Sequence, residues 1–164
     1  DDVNSVGLPS ITFDLRSNAE GDLRDVIVEV LETSRSHLKQ QFRSHFETEE
    51  GKPDYFKYLD LSVKQYDVGG ERHLAEYSMA ILYHGVAYFS RAPPDKSLAY
   101  DIVAEAFQGD LREQFVTALL ESKSPFLSQL QYIVVTINDL VVANDDLSHR
   151  VSTSQDLSSS TSWL

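Results

Sequence analysis

The stretch QYDVGGERHLAEY, Gln65 to Tyr77, decides how this chain is read, because it joins two long runs of alternating apolar and polar residues. Before it, Leu59, Leu61 and Val63 share one side of an extended chain, with Asp60, Ser62 and Lys64 opposite. After it, Tyr77, Met79, Ile81, Tyr83, Ala87 and Phe89 share one side. The pattern predicts two antiparallel strands. A two-residue loop at Gly69-Gly70 sets Leu61 opposite Ser78 and Val63 opposite Glu76, which puts an apolar side next to a polar one. A three-residue loop, Gly69 to Glu71, sets Leu61 opposite Met79 and Leu59 opposite Ile81, and is the expected turn. Gly85 lies on the apolar side of the later strand, where it predicts a bend or the close approach of a helix.

Outward from this hairpin, Ile11, Phe13 and Leu15 alternate with Thr12 and Asp14 and predict a first strand. Leu23, Ile27, Val30, Leu31, Leu38, Phe42 and Phe46 form the stripe of a long helix, which Asp22 can cap. Beyond the hairpin, Asp95 is placed to cap a helix carrying Leu98, Ile102, Ala106 and Phe107. That helix breaks near Gly109 and restarts at Asp110 with Leu111, Phe115, Ala118 and Leu119. The Val- and Ile-rich run from Tyr132 to Val142 reads as the last strand.

The order is strand, helix, strand, strand, helix, strand. It predicts an α+β fold of the ferredoxin-like βαββαβ type, a four-stranded antiparallel sheet with its helices on one face. Residues 1–9 read as an N-terminal extension, 10–143 as the folded domain and 144–164, rich in Ser, Thr and Asp, as a flexible linker. The chain starts at Asp1-Asp2 without Met and is read as a piece of a longer precursor.

With 164 residues, 41% of them hydrophobic, the chain can bury a core without covalent staples. It has no cysteine, which excludes disulfides and thiolate metal sites and leaves the compartment open. The net charge of −12 opposes nucleic acid and anionic lipid, and no two basic residues are adjacent. Arg35, Lys39 and Arg43 share one row of the long helix, a pattern typical of a solvated face.

Motifs for chemistry are missing. His37, His45, His73, His84 and His149 show no metal-ligand spacing, so His37 and His45 read as rim or solvated residues of one helix. The acidic groups Glu47, Glu49, Glu50, Asp145 and Asp146 do not form a calcium loop, although weak cation binding stays open. There is no nucleophile elbow, P-loop or dinucleotide-binding fingerprint, and no catalytic residue, metal ligand or cofactor is assigned. Tyr77, Tyr83, Tyr88, Tyr100 and Tyr132 read as core or core-rim residues. Phe56, Tyr58, Tyr66 and Val68 fall on the even side of the second strand, apolar for an outer face, and are the candidate interaction residues, a homodimer interface included.

The element order, the start of the chain and the Ser/Thr-rich tail ending in Trp163 together resemble a SEA-like domain, a ferredoxin-like module of the ectodomains of membrane-anchored proteins. The resemblance covers about residues 10 to 143 and implies an extracellular or luminal setting. Some members of that family cleave themselves in the hairpin between the second and third strands, at a Gly-Ser bond. The matching place here is Gly69-Gly70-Glu71-Arg72, without a hydroxyl, so an intact hairpin is expected. The expected function is a non-catalytic interaction or spacer module of a larger membrane protein, with an unknown protein partner. Two alternatives are an acidic domain that binds cations, a mineral phase or a basic partner, and a soluble ferredoxin-like enzyme or regulatory domain that dimerises through its sheet.

Overall fold

The computed structural model describes residues 4–48, 54–71 and 76–148. The elements run β1 (Ser5–Gly7), β2 (Ile11–Ser17), α1 (Leu23–Glu47), β3 (Phe56–Glu71), β4 (Glu76–Phe89), α2 (Lys96–Glu105), α3 (Gly109–Leu120), α4 (Pro125–Ser128), β5 (Leu130–Ile137) and β6 (Leu140–Asp146). The fold is α+β, with one antiparallel sheet of six strands where four were expected. Across the sheet the order is β3-β4-β2-β5-β6, and β1 continues the line of β2 along the far end of β4.

One extra strand comes from the N-terminal extension and the other from the division of the last expected strand. Residues 5–7 pair with Val86 to Tyr88, so the N-terminal extension is part of the sheet. The run from Tyr132 to Val142 is not a single strand. It folds back at Asn138-Asp139 into β5 and β6, with Asn138 at φ 55°. Asn tolerates this left-handed conformation better than most residues, and its Oδ1 accepts from the Ser10 N–H at 3.0 Å. The domain therefore continues past residue 143, through β6 and the buried Leu147. The rest of the expected linker, from His149, and Trp163 with it, lies outside the described residues.

The register of the central hairpin corrects the expected loop. Gly69, Gly70 and Glu71 belong to the β3 ladder opposite Ser78, Tyr77 and Glu76, and Leu61 and Leu59 pair with Gly85 and Ala87. Counting back from a loop assumes an uninterrupted ladder, but β3 carries an extra residue at Lys57 and another at Lys64. Next to the connection the ladder is uninterrupted from Glu71–Glu76 back to Gln65–Leu82, so the residues between the strands are 72–75, outside the described residues, and the bulges at Lys64 and Lys57 then each move the pairing by one residue.

Gly85 matters for packing against its neighbouring strand rather than against a helix. A Cβ there would sit 2.6 Å from Leu61 Cδ2 and 2.9 Å from the Asp60 carbonyl oxygen.

One face of the sheet carries the core. Ile11, Phe13, Leu15, Ile81, Tyr83, Ile133, Val135 and Ile137 are fully or almost fully buried. The Phe13 ring lies 5.9, 5.8 and 5.5 Å from those of Tyr83, Phe107 and Phe115, which fastens β2 to β4 and to the α2–α3 corner. Asp22 caps α1 by accepting from the Arg24 and Asp25 N–H groups at 2.9 and 3.2 Å. Asp95 occupies the N-cap position of α2 without a side-chain bond, and the helix does break before Gly109, which has φ 57°. The buried stripe of α1 includes Val26, Ser34 and His37, while Leu23, Ile27 and Leu31 lie at its partly buried edge.

Candidate functional site

With the helices and the aromatic core on one side, the other face of the sheet is left uncovered by the described helices. Antiparallel partners project to the same face, so the register gives its rows directly. One row is Asp67-Ala80-Asp14-Val134-Asn144 and the next is Gly69-Ser78-Arg16-Tyr132-Asp146. Further along lie Gln65-Leu82-Thr12-Thr136, then Ser62-His84, Asp60-Val86 and Tyr58-Tyr88. Ala80, Leu82, Val86, Val134 and Tyr132 are half-buried, whereas Asp14, Arg16, Asp60, Asp67, Glu76 and Asp146 are exposed.

The centre of this face is a trough of about 350 Å³. Its floor is low because Gly69, Ser78 and Ala80 have short side chains or none, and Asp67, Asp14, Arg16 and Tyr132 rise around it. Arg16 lies 3.9 Å from a Glu76 carboxylate oxygen and 5.7 Å from the centre of the Tyr132 ring. Tyr132 in turn donates to Asn144 Oδ1.

A second depression, about 630 Å³, opens where residues 8–10 carry the chain between β1 and β2. Asp60, Ser62 and His84 line it, and Ser62 is the cross-strand partner of His84. The residue types suggest nucleophilic chemistry. That chemistry needs a base bonded to the nucleophile and a third group orienting the base, and among the described residues no hydrogen bond joins these three side chains.

The four candidate interaction residues do not form one patch. Phe56 pairs with Phe89 and turns inward, its ring 5.5 Å from that of Phe42. Tyr58, beyond the Lys57 bulge, lies on the open face and stacks on Tyr88 at 4.6 Å. Tyr66 and Val68, beyond the Lys64 bulge, pair with Ile81 and Met79 and so belong to the helix-bearing side. They are 56% and 52% exposed there, because β3 extends past the cover of the helices. Alternate residues share a face only in a regular strand, and two bulges break that rule within sixteen residues.

His37 is an interior residue rather than a rim one. It is 8% exposed, its Nε2 lies 2.6 Å from the Ala106 carbonyl oxygen, and its ring packs against Phe107 and Phe115. Burial pushes its pKa below the ordinary value, against the opposing pull of that carbonyl. His45 sits a further two turns along α1 and stacks edge-on against Phe46 at 4.7 Å. His84 is exposed on the open face, and His73 and His149 lie outside the described residues. Among the described residues no three His, Asp or Glu side chains are grouped to hold a metal ion. Asp145 is drawn instead to Arg112 of α3, at 3.7 Å.

Of the tyrosines, Tyr83 is core, Tyr77 and Tyr100 pack at its rim, and Tyr88 and Tyr132 belong to the open face. Among the described residues no helix is long and apolar enough to cross a membrane. Comparison with family models, curated proteins and solved structures gives no match.

Proposed function

We propose that this chain is a non-catalytic interaction or spacer module from the extracellular or luminal part of a larger membrane protein, related in architecture to SEA-like domains. The order β3-β4-β2-β5 supports the ferredoxin-like part of that reading. Relative to the expected βαββαβ chain it runs second, third, first, fourth, every neighbour antiparallel, with β6 and β1 as additions at the margins. The observation that carries the functional part is the division of the sheet. One face is filled with helices and aromatic side chains, and the other presents separated groups that do not converge on a reacting centre.

Sequencing the parent transcript on both sides of this segment tests the setting. A stretch of about 20 apolar residues close to the domain is the expected result. A parent without a membrane span, signal peptide or lipid-anchor motif would overturn it.

A further inference from the structure

The open sheet face has a chemistry of its own, and it selects one kind of occupant. Asp14, Asp60, Asp67, Glu76 and Asp146 all project from it, whereas among the described paired residues its cationic side chains are Arg16, already beside Glu76, and the titratable His84. Of the other described basic residues, Arg24, Arg35, Lys39 and Arg43 are on α1, Lys96 on α2 and Arg112 on α3, Arg91 and Lys123 are in connections, and Lys57 and Lys64 are the bulge residues at the β3 edge of the sheet. Along β4, between the carboxylates of β3 and β2, runs a strip of Ala80, Leu82, Val86 and Tyr88 with His84 among them, Tyr58 stacks on its end, and Val134 lies on β5 beyond Asp14. Asp67 and Asp14 stand on either side of Ala80 in one row, about 10 Å apart at two strand spacings, with the trough beneath them.

We propose that this face docks a cationic amphipathic segment of a partner protein, with apolar side chains along the Ala80-Leu82-Val86 strip of β4 and Lys or Arg side chains reaching Asp14, Asp67 and Asp60 on either side of it. The proposal rests on the interaction-module reading and names the partner's chemistry. A second copy of the chain does not fit, because it would set the same carboxylates against each other. Nucleic acid and anionic lipid are repelled for the same reason.

The test titrates isotope-labelled protein with a synthetic Lys/Leu amphipathic helix of about 18 residues, five turns. Two comparison peptides accompany it, one with the same composition scrambled and one with Glu in place of Lys. Expected are amide shifts at Ala80, Leu82 and Val134, preference for the amphipathic cationic peptide, and about tenfold weaker binding by Asp14→Asn/Asp67→Asn, equivalent to about 1.4 kcal/mol. Glu29→Gln/Glu32→Gln, on α1, is expected to bind within about twofold of the unaltered chain. Shifts confined to the helices, equal binding of the scrambled peptide, or unchanged affinity in Asp14→Asn/Asp67→Asn would overturn the docking proposal. The module reading would survive those results, since it is judged on the parent sequence. Binding of none of the peptides overturns the docking proposal as well.

Discussion

Three buried polar side chains differ in what they contribute to holding the two layers together. Ser17, fully buried at the end of β2, donates to the Phe126 carbonyl at 2.6 Å, lies 3.1 Å from the Gln129 carbonyl and accepts from the Ala19 N–H. Removing its hydroxyl takes the donor from the buried Phe126 carbonyl and the acceptor from the Ala19 N–H, so Ser17→Ala is expected to lower stability by about 1–3 kcal/mol in urea denaturation. Ser34 is equally buried in α1, but its Oγ has no partner, so Ser34→Ala is expected to be neutral or to raise stability by about 1 kcal/mol. Equal losses from the two substitutions would contradict this contrast. His37 adds a pH dependence. Its folded pKa lies below the unfolded value of 6.5, so the unfolded chain takes up the proton first as pH falls. Above pH 6.5 the group contributes no slope. Below it, stability falls until the folded pKa is passed and then levels off. Denaturation midpoints measured through this range should separate the parent chain from His37→Gln. A slope shared by both would assign the effect to other groups. The polar nature of Ser17, Ser34 and His37 is also why sequence periodicity missed them, since a count of apolar positions gives no weight to a buried hydroxyl or imidazole.

Single residues also reset whole elements, and the bulge at Lys64 is the clearest case. The helices were legible, because Asp22, the apolar stripe of α1 and the interruption before Gly109 are local signals that the fold reproduces. Strand register depends on a count, and the count fails at every bulge. A clue was nevertheless present in the letters. Apolar residues occupy odd positions at Leu59, Leu61 and Val63, then even positions at Tyr66 and Val68, and the parity changes at Lys64. The same count assigned the four candidate interaction residues to one face, so the true composition of the open face emerged only with the ladder. The β5–β6 hairpin was hidden differently, because Asn138-Asp139 is a two-residue interruption in an otherwise continuous Val/Ile run. Deleting Lys64 removes the extra residue and forces a choice: either Tyr66 and Val68 move to the acidic face, or the pairing beyond Val63 is lost. Loss of hydrogen-exchange protection at residues 65–71, with residues 11–17 still protected, is the expected outcome, and protection unchanged along β3 would show that the bulge does not set the register. Gly85→Ala tests the same pairing from β4. The Asp60 backbone oxygen cannot give way like a side-chain tip, so a cost of about 1–3 kcal/mol is expected in thermal or urea unfolding.

For the molecule as a whole, the question is what the long β3 edge does in solution. β3 borders the sheet, and its residues from Ser62 to Gly69 are exposed, including Val63, Tyr66 and Val68. An apolar edge of that length would template pairing with a second chain. Two features oppose it. The bulges at Lys57 and Lys64 interrupt the regular spacing of the unpaired backbone groups, and each places a lysine on the edge strand. The net charge of −12 adds repulsion between copies that salt screens. If charge alone kept the copies apart, high salt would release association. If the bulged edge is the main barrier, the chain stays monomeric at both low and high salt, and this is the outcome expected from sedimentation velocity. The Lys64 deletion separates the two effects, since it removes the bulge, whether β3 beyond Val63 re-pairs or detaches, while changing the charge by a single unit. Self-association that appears in the deletion variant, and grows with salt, would identify the bulge as the device that keeps this sheet unpaired. A deletion variant that stays monomeric at every salt concentration would remove that role from it.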